Sequence, residues 1–237
     1  MGFWQRLSRK MRPADNVRVV RTPGAPPPSG VPASALQDVV VAVRGIDPNQ
    51  LPSGIDGSAA VRDFMICVGV AATCVSVRLH VANRKCRELI RQGRLPENEA
   101  LQRSLGAIVV SSSTEDTHDS WGGHLVTIVD NHWLVDATLD FVNDVEPAFR
   151  LTAIVSDRGR DLVDGIRASI EFDTDLIVYE RDDQNQRYLQ TPAWRDEQGR
   201  KNRLFSVLAS IDAMPLSDGH KMLRDRIAIV AADAATD

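Results

Sequence analysis

Two residues in the middle of this chain have the types and spacing to do proton chemistry. His124 follows Gly122-Gly123 and opens the apolar run Leu125-Val126-Thr127-Ile128-Val129. Asp136 lies inside a second run, Trp133-Leu134-Val135-Asp136-Ala137-Thr138-Leu139. Both runs have the composition of strands, and Asp130-Asn131-His132 between them supplies turn chemistry. A three-residue loop puts Val126 opposite Asp136 and His124 diagonal to Asp136 on the same sheet face. Diagonal neighbours are roughly 7–8 Å apart at the backbone, which an imidazole and a carboxylate can span. A two-residue loop would send them to opposite faces. A carboxylate on one imidazole nitrogen fixes the tautomer and stabilises the charged ring, and the other nitrogen is then free to take a proton from a nucleophile. The plainer alternative is a strand-end histidine and a polar interruption of a strand. An unpaired aspartate inside such an apolar run is costly, which favours the pair.

Other elements must hold that hairpin in place. From Asp56 to Val70 the pattern is helical: Val61, Phe64, Met65 and Val68 fall on one face, and Gly69 stops the helix. Cys74 to Val81 alternates with period two and reads as a strand. Asn83 to Gln92 reads as a charged helix and Gly106 to Ser111 as a strand. Leu36 to Val43 fits either a strand or a short helix. In the second half, Leu151–Ser156 and Leu176–Tyr179 read as strands, with Arg187–Gln190 able to pair back across a turn at Asp182–Asn185. Arg203–Ala213 and Asp218–Ala232 read as helices. This order suggests an α+β class with a mainly antiparallel sheet.

The phrase from Gly123 to Asp140 resembles the His and Asp motifs of transglutaminase-like and papain-like cysteine hydrolases. In that superfamily a His opens one strand and an Asp or Asn sits on the next, often in a phrase of the form W-L-x-D-x-T. Gly69-Val70-Ala71-Ala72 and the strand after it are similar to the family's helix exit, so the likeness covers roughly residues 50 to 140. It implies a helix packed on a mainly antiparallel β-sheet, with acyl transfer or amide hydrolysis of a protein or peptide substrate. In the family the nucleophile is a Cys at the helix N-terminus. Here the family's helix length, counted back from Gly69, reaches Ser53. The resemblance therefore implies a Ser53–His124–Asp136 triad, with helix N-terminal amides near Gly54 as an oxyanion hole. Ser53 has four readings: a serine nucleophile, a degenerate site in a catalytically inactive binding module that keeps the fold, a replaced Cys, or a helix-capping residue.

The rest of the chain sets bounds. Its 237 residues, with 43% hydrophobic and 25% charged, suit one domain with appendages. A net charge of -4 argues against nucleic acid as a partner. Three cysteines, at 67, 74 and 86, form no metal or CxxC spacing and read as structural, reduced thiols of a cytoplasmic protein. The absence of an apolar segment after Met1–Arg12 argues against a signal peptide. Residues 1–35 read as a disordered basic arm with a Pro-rich linker, either a solvated tail or a contact with a membrane or protein partner. Residues 36–145 read as the core and 146–237 as an extension completing the same domain. The polar loop 111–121 reads as a lid with Trp121 as a substrate-facing wall. His80 and His220 read as surface residues, and Trp133 and Trp194 as core. No metal or nucleotide cofactor is expected, and the substrate and oligomeric state are not readable.

Overall fold

The computed structural model describes residues 17–22, 30–46, 54–92, 94, 99–110, 121–215 and 218–234. Its framework is one mostly antiparallel, nearly barrel-closed sheet in a mixed α/β chain. The strands are β1 (Val17–Val20), β2 (Ala72–Ala82), β3 (Ala107–Val110), β4 (His124–Val129), β5 (Trp133–Asp136), β6 (Ala153–Ser156), β7 (Arg167–Phe172) and β8 (Asp175–Arg181). They run β1-β6-β5-β4-β2-β8-β7, with β3 also on β2. Only β1 on β6 is parallel among the described pairs. The helices are α1 (Ala33–Arg44), α2 (Gly54–Cys67), α3 (Arg84–Arg91), α4 (Glu99–Ser104), α5 (Val142–Val145), α6 (Gly159–Val163), α7 (Pro192–Arg195), α8 (Glu197–Ala213) and α9 (Asp218–Ala234).

Each strand face feeds a different core. One face gives Val129, Trp133, Val135, Ala153 and Val155 to a layer completed by α1, α2, α8 and α9. The other gives Val77, Leu79, Val126, Ile128, Leu134, Ile154 and Tyr179 to the interior of the curved sheet. Every residue of β4 and β5 is therefore buried. That explains why these strands read as continuous apolar runs rather than a clean alternation.

The hairpin register is the one the odd loop requires. Thr127 pairs with Val135, Ile128 with Leu134 and Val129 with Trp133. Asp130 and Asn131 take φ of 53° and 50°, a left-handed conformation that Asn and Asp tolerate best after glycine. His132 N–H closes the turn on the Val129 carbonyl at 3.0 Å. Gly69, with φ of 71°, makes the matching left-handed exit from α2.

Several expectations are corrected. The arm 1–35 is not wholly disordered: Val17–Val20 forms β1, because β6 offers it a free parallel edge. Val31 is already core, so folded structure precedes residue 36. Of the two readings of Leu36–Val43, the helix is the one formed: it lies in α1, with Val39, Val40 and Val43 buried. Arg187–Gln190 makes a 3-10 turn and no strand. Tyr188 in that turn is held by Trp121 and Trp194 instead. His220 is fully buried on α9 and is no surface residue, whereas His80 is half-buried beside Glu180. Trp133 is core, with its indole N–H donating to the Val31 carbonyl at 2.9 Å. Trp194 is only partly buried.

Phe64 is fully buried on the inner face of α2, whereas Ile66 on the same helix is 47% exposed. Phe64→Ala should lower unfolding free energy by about 3–5 kcal/mol, and Ile66→Ala by no more than about 0.5 kcal/mol. Urea unfolding of both variants checks this.

Candidate functional site

His124 and Asp136 meet as the register demands. His124 Nε2 lies 2.7 Å from Asp136 Oδ2, and the two side chains are 3% and 0% exposed. The same carboxylate takes further donors. The Tyr179 hydroxyl donates to Oδ2 at 3.0 Å, and the Thr138 backbone N–H donates to Oδ1 at 3.1 Å. Burial first, and then the neighbouring carboxylate, push the Tyr179 phenol well above its usual range, so it stays protonated and donates. An ionised Asp136 accepts from Nε2, and the tautomer that donates to it leaves Nδ1 with its lone pair.

The imidazole lies between two rings. Phe141 is 5.2 Å away by centroids and Tyr179 is 6.4 Å away. Phe141 belongs to a 3-10 turn, Leu139–Phe141, directly after the hairpin. That turn is anchored by the buried pair Arg44–Asp140 at 3.1 Å, and Arg44 also donates to the Ala137 carbonyl at 3.4 Å. The second strand, the turn and α1 thus fix the ring from one side.

Helix α2 approaches the same end of the hairpin from the opposite sheet face. Ser58 Oγ donates to the Leu125 carbonyl at 2.7 Å, and Thr127 Oγ1 donates back to the Ser58 carbonyl at 2.9 Å. The first turn of the helix abuts Thr138. A Cβ added to Gly57 would lie 2.5 Å from Thr138 Cγ2, and one on Gly54 would lie 3.4 Å from Thr138 Oγ1. Glycine at 57 is thus a condition of this close approach. The backbone amides of this helix start sit one residue, Thr138, away from the Asp136 carboxylate. Ser53, which immediately precedes α2, lies outside the described residues. Asp56 in the first turn pairs with Arg203 of α8 at 3.1 Å, and both are buried.

A wall of aromatics borders the helix start. Trp121 lies over Gly123, where a Cβ would come within 2.3 Å of the indole, and its N–H donates to Asn185 Oδ1 at 2.9 Å. The remainder of the expected lid, residues 111–120, lies outside the described residues. Beyond this wall, residues 72–75 of β2 pair with β4 on one edge and with no described strand on the other. A cavity of about 380 Å³ opens there, lined in part by Thr73, Ser76, Asp182 and Tyr188.

The cysteines lie apart from His124. Burial pushes the Cys74 thiol up to about 12, and its Sγ points at the Ser58 carbonyl at 3.6 Å. Burial also pushes Cys86 up, and Cys67 is partly exposed. Among the described residues no group of three or more His, Cys, Asp or Glu is placed to hold a metal ion, and no helix is long and apolar enough to cross a membrane.

Gly57, Thr138, Phe141 and Tyr179 join the site without having been singled out from the sequence. A signal existed for Thr138, two residues after Asp136, and for the glycine pair spaced by three at the helix start. None existed for Tyr179, which is 43 residues away from Asp136.

What fold and site define is a mixed α/β protein with a buried His–Asp pair at the start of a β-hairpin, beside a helix N-terminus. No family model matches the chain, and no curated protein or solved structure does so.

The thiols give a direct check. At pH 8 only about one Cys74 in ten thousand is ionised in the folded chain, given a pKa of about 12. Iodoacetamide should modify Cys67 in the native protein and Cys74 only on denaturation. Between pH 9 and 12 the unfolded chain ionises this thiol while the fold keeps it neutral. Cys74 therefore subtracts stability as pH rises through that window. A native Cys74 alkylated as fast as Cys67 would contradict the assignment.

Proposed function

We propose that this protein is an acyl-transfer or amide-hydrolysing enzyme of transglutaminase-like or papain-like type, with His124 as general base, Asp136 as its orienting carboxylate and Ser53 as nucleophile. The observation that carries this reading is the buried 2.7 Å contact between His124 Nε2 and Asp136 Oδ2, with Nδ1 left over. The start of α2 beside Thr138 adds the second element such chemistry needs.

The reaction would run in two halves. Ser53 gives its hydroxyl proton to His124 Nδ1 as its oxygen bonds to a substrate carbonyl carbon. The oxyanion is met by backbone amides at the start of α2, where the helix dipole also favours negative charge. The imidazolium, held by Asp136, returns the proton to the departing amine. A water or an acceptor amine then repeats the sequence in reverse and releases the acyl group. The open edge of β2 at residues 72–75 runs from opposite Val126 toward the hairpin turn, and it suits an extended peptide, which can pair with a free strand edge. A protein or peptide is therefore the substrate class proposed.

A second reading is favoured by the hydroxyl at the position where the superfamily carries a thiol. In it, the chain keeps the fold and the His–Asp pair but binds partners without turnover.

Labelling with a fluorophosphonate, read by mass spectrometry, distinguishes the two. The enzyme reading expects a single adduct on Ser53 that is lost in Ser53→Ala and in His124→Ala. Asp136→Asn, which favours the wrong tautomer, should slow labelling by about 10⁴-fold. No adduct, together with a Ser53→Cys variant no more reactive to a thiol electrophile than Cys67, would leave the binding reading.

A further inference from the structure

We infer that Tyr179 is a positioning residue for the His124–Asp136 pair, its hydroxyl sharing Asp136 Oδ2 with the imidazole and so limiting the negative charge that His124 feels. This deepens the proposed function and rests on that reading where it speaks of rate, but its geometric part stands on the pair alone.

The argument starts from one oxygen with two donors. Asp136 Oδ2 accepts from His124 Nε2 at 2.7 Å and from Tyr179 at 3.0 Å, with all three side chains buried. Leu79 of β2 has Val110 of β3 as its register partner on one side and Tyr179 of β8 on the other, and the phenol reaches Asp136 across the curved interior of the sheet. Among the described residues the Tyr179 hydroxyl bonds to this carboxylate alone. Because burial and the carboxylate hold the phenol protonated, the direction of its hydrogen bond cannot invert. Each donor on an anionic oxygen draws charge away from the others. The phenol therefore weakens the pull of Asp136 on the imidazolium while stopping the carboxylate from rotating. A bare carboxylate would hold the proton on His124 more tightly and return it to a leaving group more slowly.

Among the described residues, two charged groups of elements next to His124 are paired elsewhere. Arg181 on β8, in register with Val77 next to His124, pairs with Asp183 and donates to the Leu162 carbonyl at 3.3 Å. Asp140 in the turn beside Phe141 pairs with Arg44. Val77 and Leu79 of β2 and Val126 of β4 are apolar. Among the described residues, Asp136 and the Tyr179 hydroxyl it accepts from are the groups that set the ring's charge.

The test compares wild type and Tyr179→Phe in two ways. The first is the low-field proton resonance of the ¹⁵N-labelled His124 Nε2–H, which needs no activity. The second is the pH profile of fluorophosphonate labelling. Tyr179→Phe should move the resonance downfield, since Nε2–H no longer shares its acceptor. It should also move the acid limb of the profile to higher pH by about one unit, because the imidazolium gains from the uncompensated carboxylate. Should the Phe variant not fold, 3-fluorotyrosine at position 179 in a Tyr188→Phe background serves instead, the chain having two tyrosines. This stronger donor should move both readouts the opposite way. A resonance unmoved by either change would overturn the inference, even with Ser53 labelling intact. A shifted resonance alongside labelling indifferent to Ser53→Ala would uphold Tyr179's role and remove the nucleophile assignment.

Discussion

Asp136 is a carboxylate with no exposed surface in the middle of an antiparallel sheet. Burying an ionised carboxylate costs several kcal/mol unless donors replace its water, and removing one partner from a buried pair costs about 3–5 kcal/mol. Much of the structure around it can be understood as the supply of those donors. The odd-length loop brings His124 to the same face. The chain reversal after β5 turns the Thr138 amide back onto Oδ1. β8, paired with β2, presents Tyr179 from across the curved sheet. Each donor comes from a different part of the chain, so the pair links the hairpin to the C-terminal half.

The same sheet is used from both sides. Its concave face holds the polar pair within an apolar layer of Val126, Leu134, Ile154 and Tyr179. Its other face receives α2, fastened by the reciprocal bonds between Ser58, Leu125 and Thr127. Helix and pair meet only at the end of the hairpin, at Thr138, where Gly57 lets the backbone come close. The arrangement sets a helix dipole beside an oriented imidazole without placing either in the other's core. The buried Asp56–Arg203 pair ties that helix start to α8, and the Arg44–Asp140 pair ties the turn carrying Phe141 to α1. Both ion pairs sit where a small shift would change the distance between helix start and ring. Their role in register and orientation is better supported than any gain in stability, since a buried ion pair often breaks even.

The thiols show how environment, rather than residue type, assigns a role. Cys74 sits one strand from His124 yet faces the helix layer, against Ser58 and Thr127. Desolvation makes it a poor nucleophile and a good space-filler. The residue proposed for catalysis, Ser53, instead precedes α2 in the sequence, and helix starts carry unsatisfied amides and favour anions.

By itself the sequence determined the hairpin and made the His124–Asp136 contact conditional on a three-residue loop, which the observed register then supplies. Pairing across a three-residue loop is local, and a period of two leaves each side chain only one face to occupy. It also determined α2, whose apolar positions at Val61, Phe64, Met65 and Val68 obey the helical period. What it could not determine was which distant element would cover each strand. β1 was hidden in a basic, Pro-rich stretch because a four-residue strand gains its stability from β6 and carries little pattern of its own. His220 looked like a surface residue because burial on α9 depends on α1 packing over it. Tyr179 and Gly57 entered the site through contacts between segments far apart in the chain. Only the tertiary structure decided those, because the donors of a buried carboxylate are chosen by three-dimensional proximity and leave no spacing in the sequence.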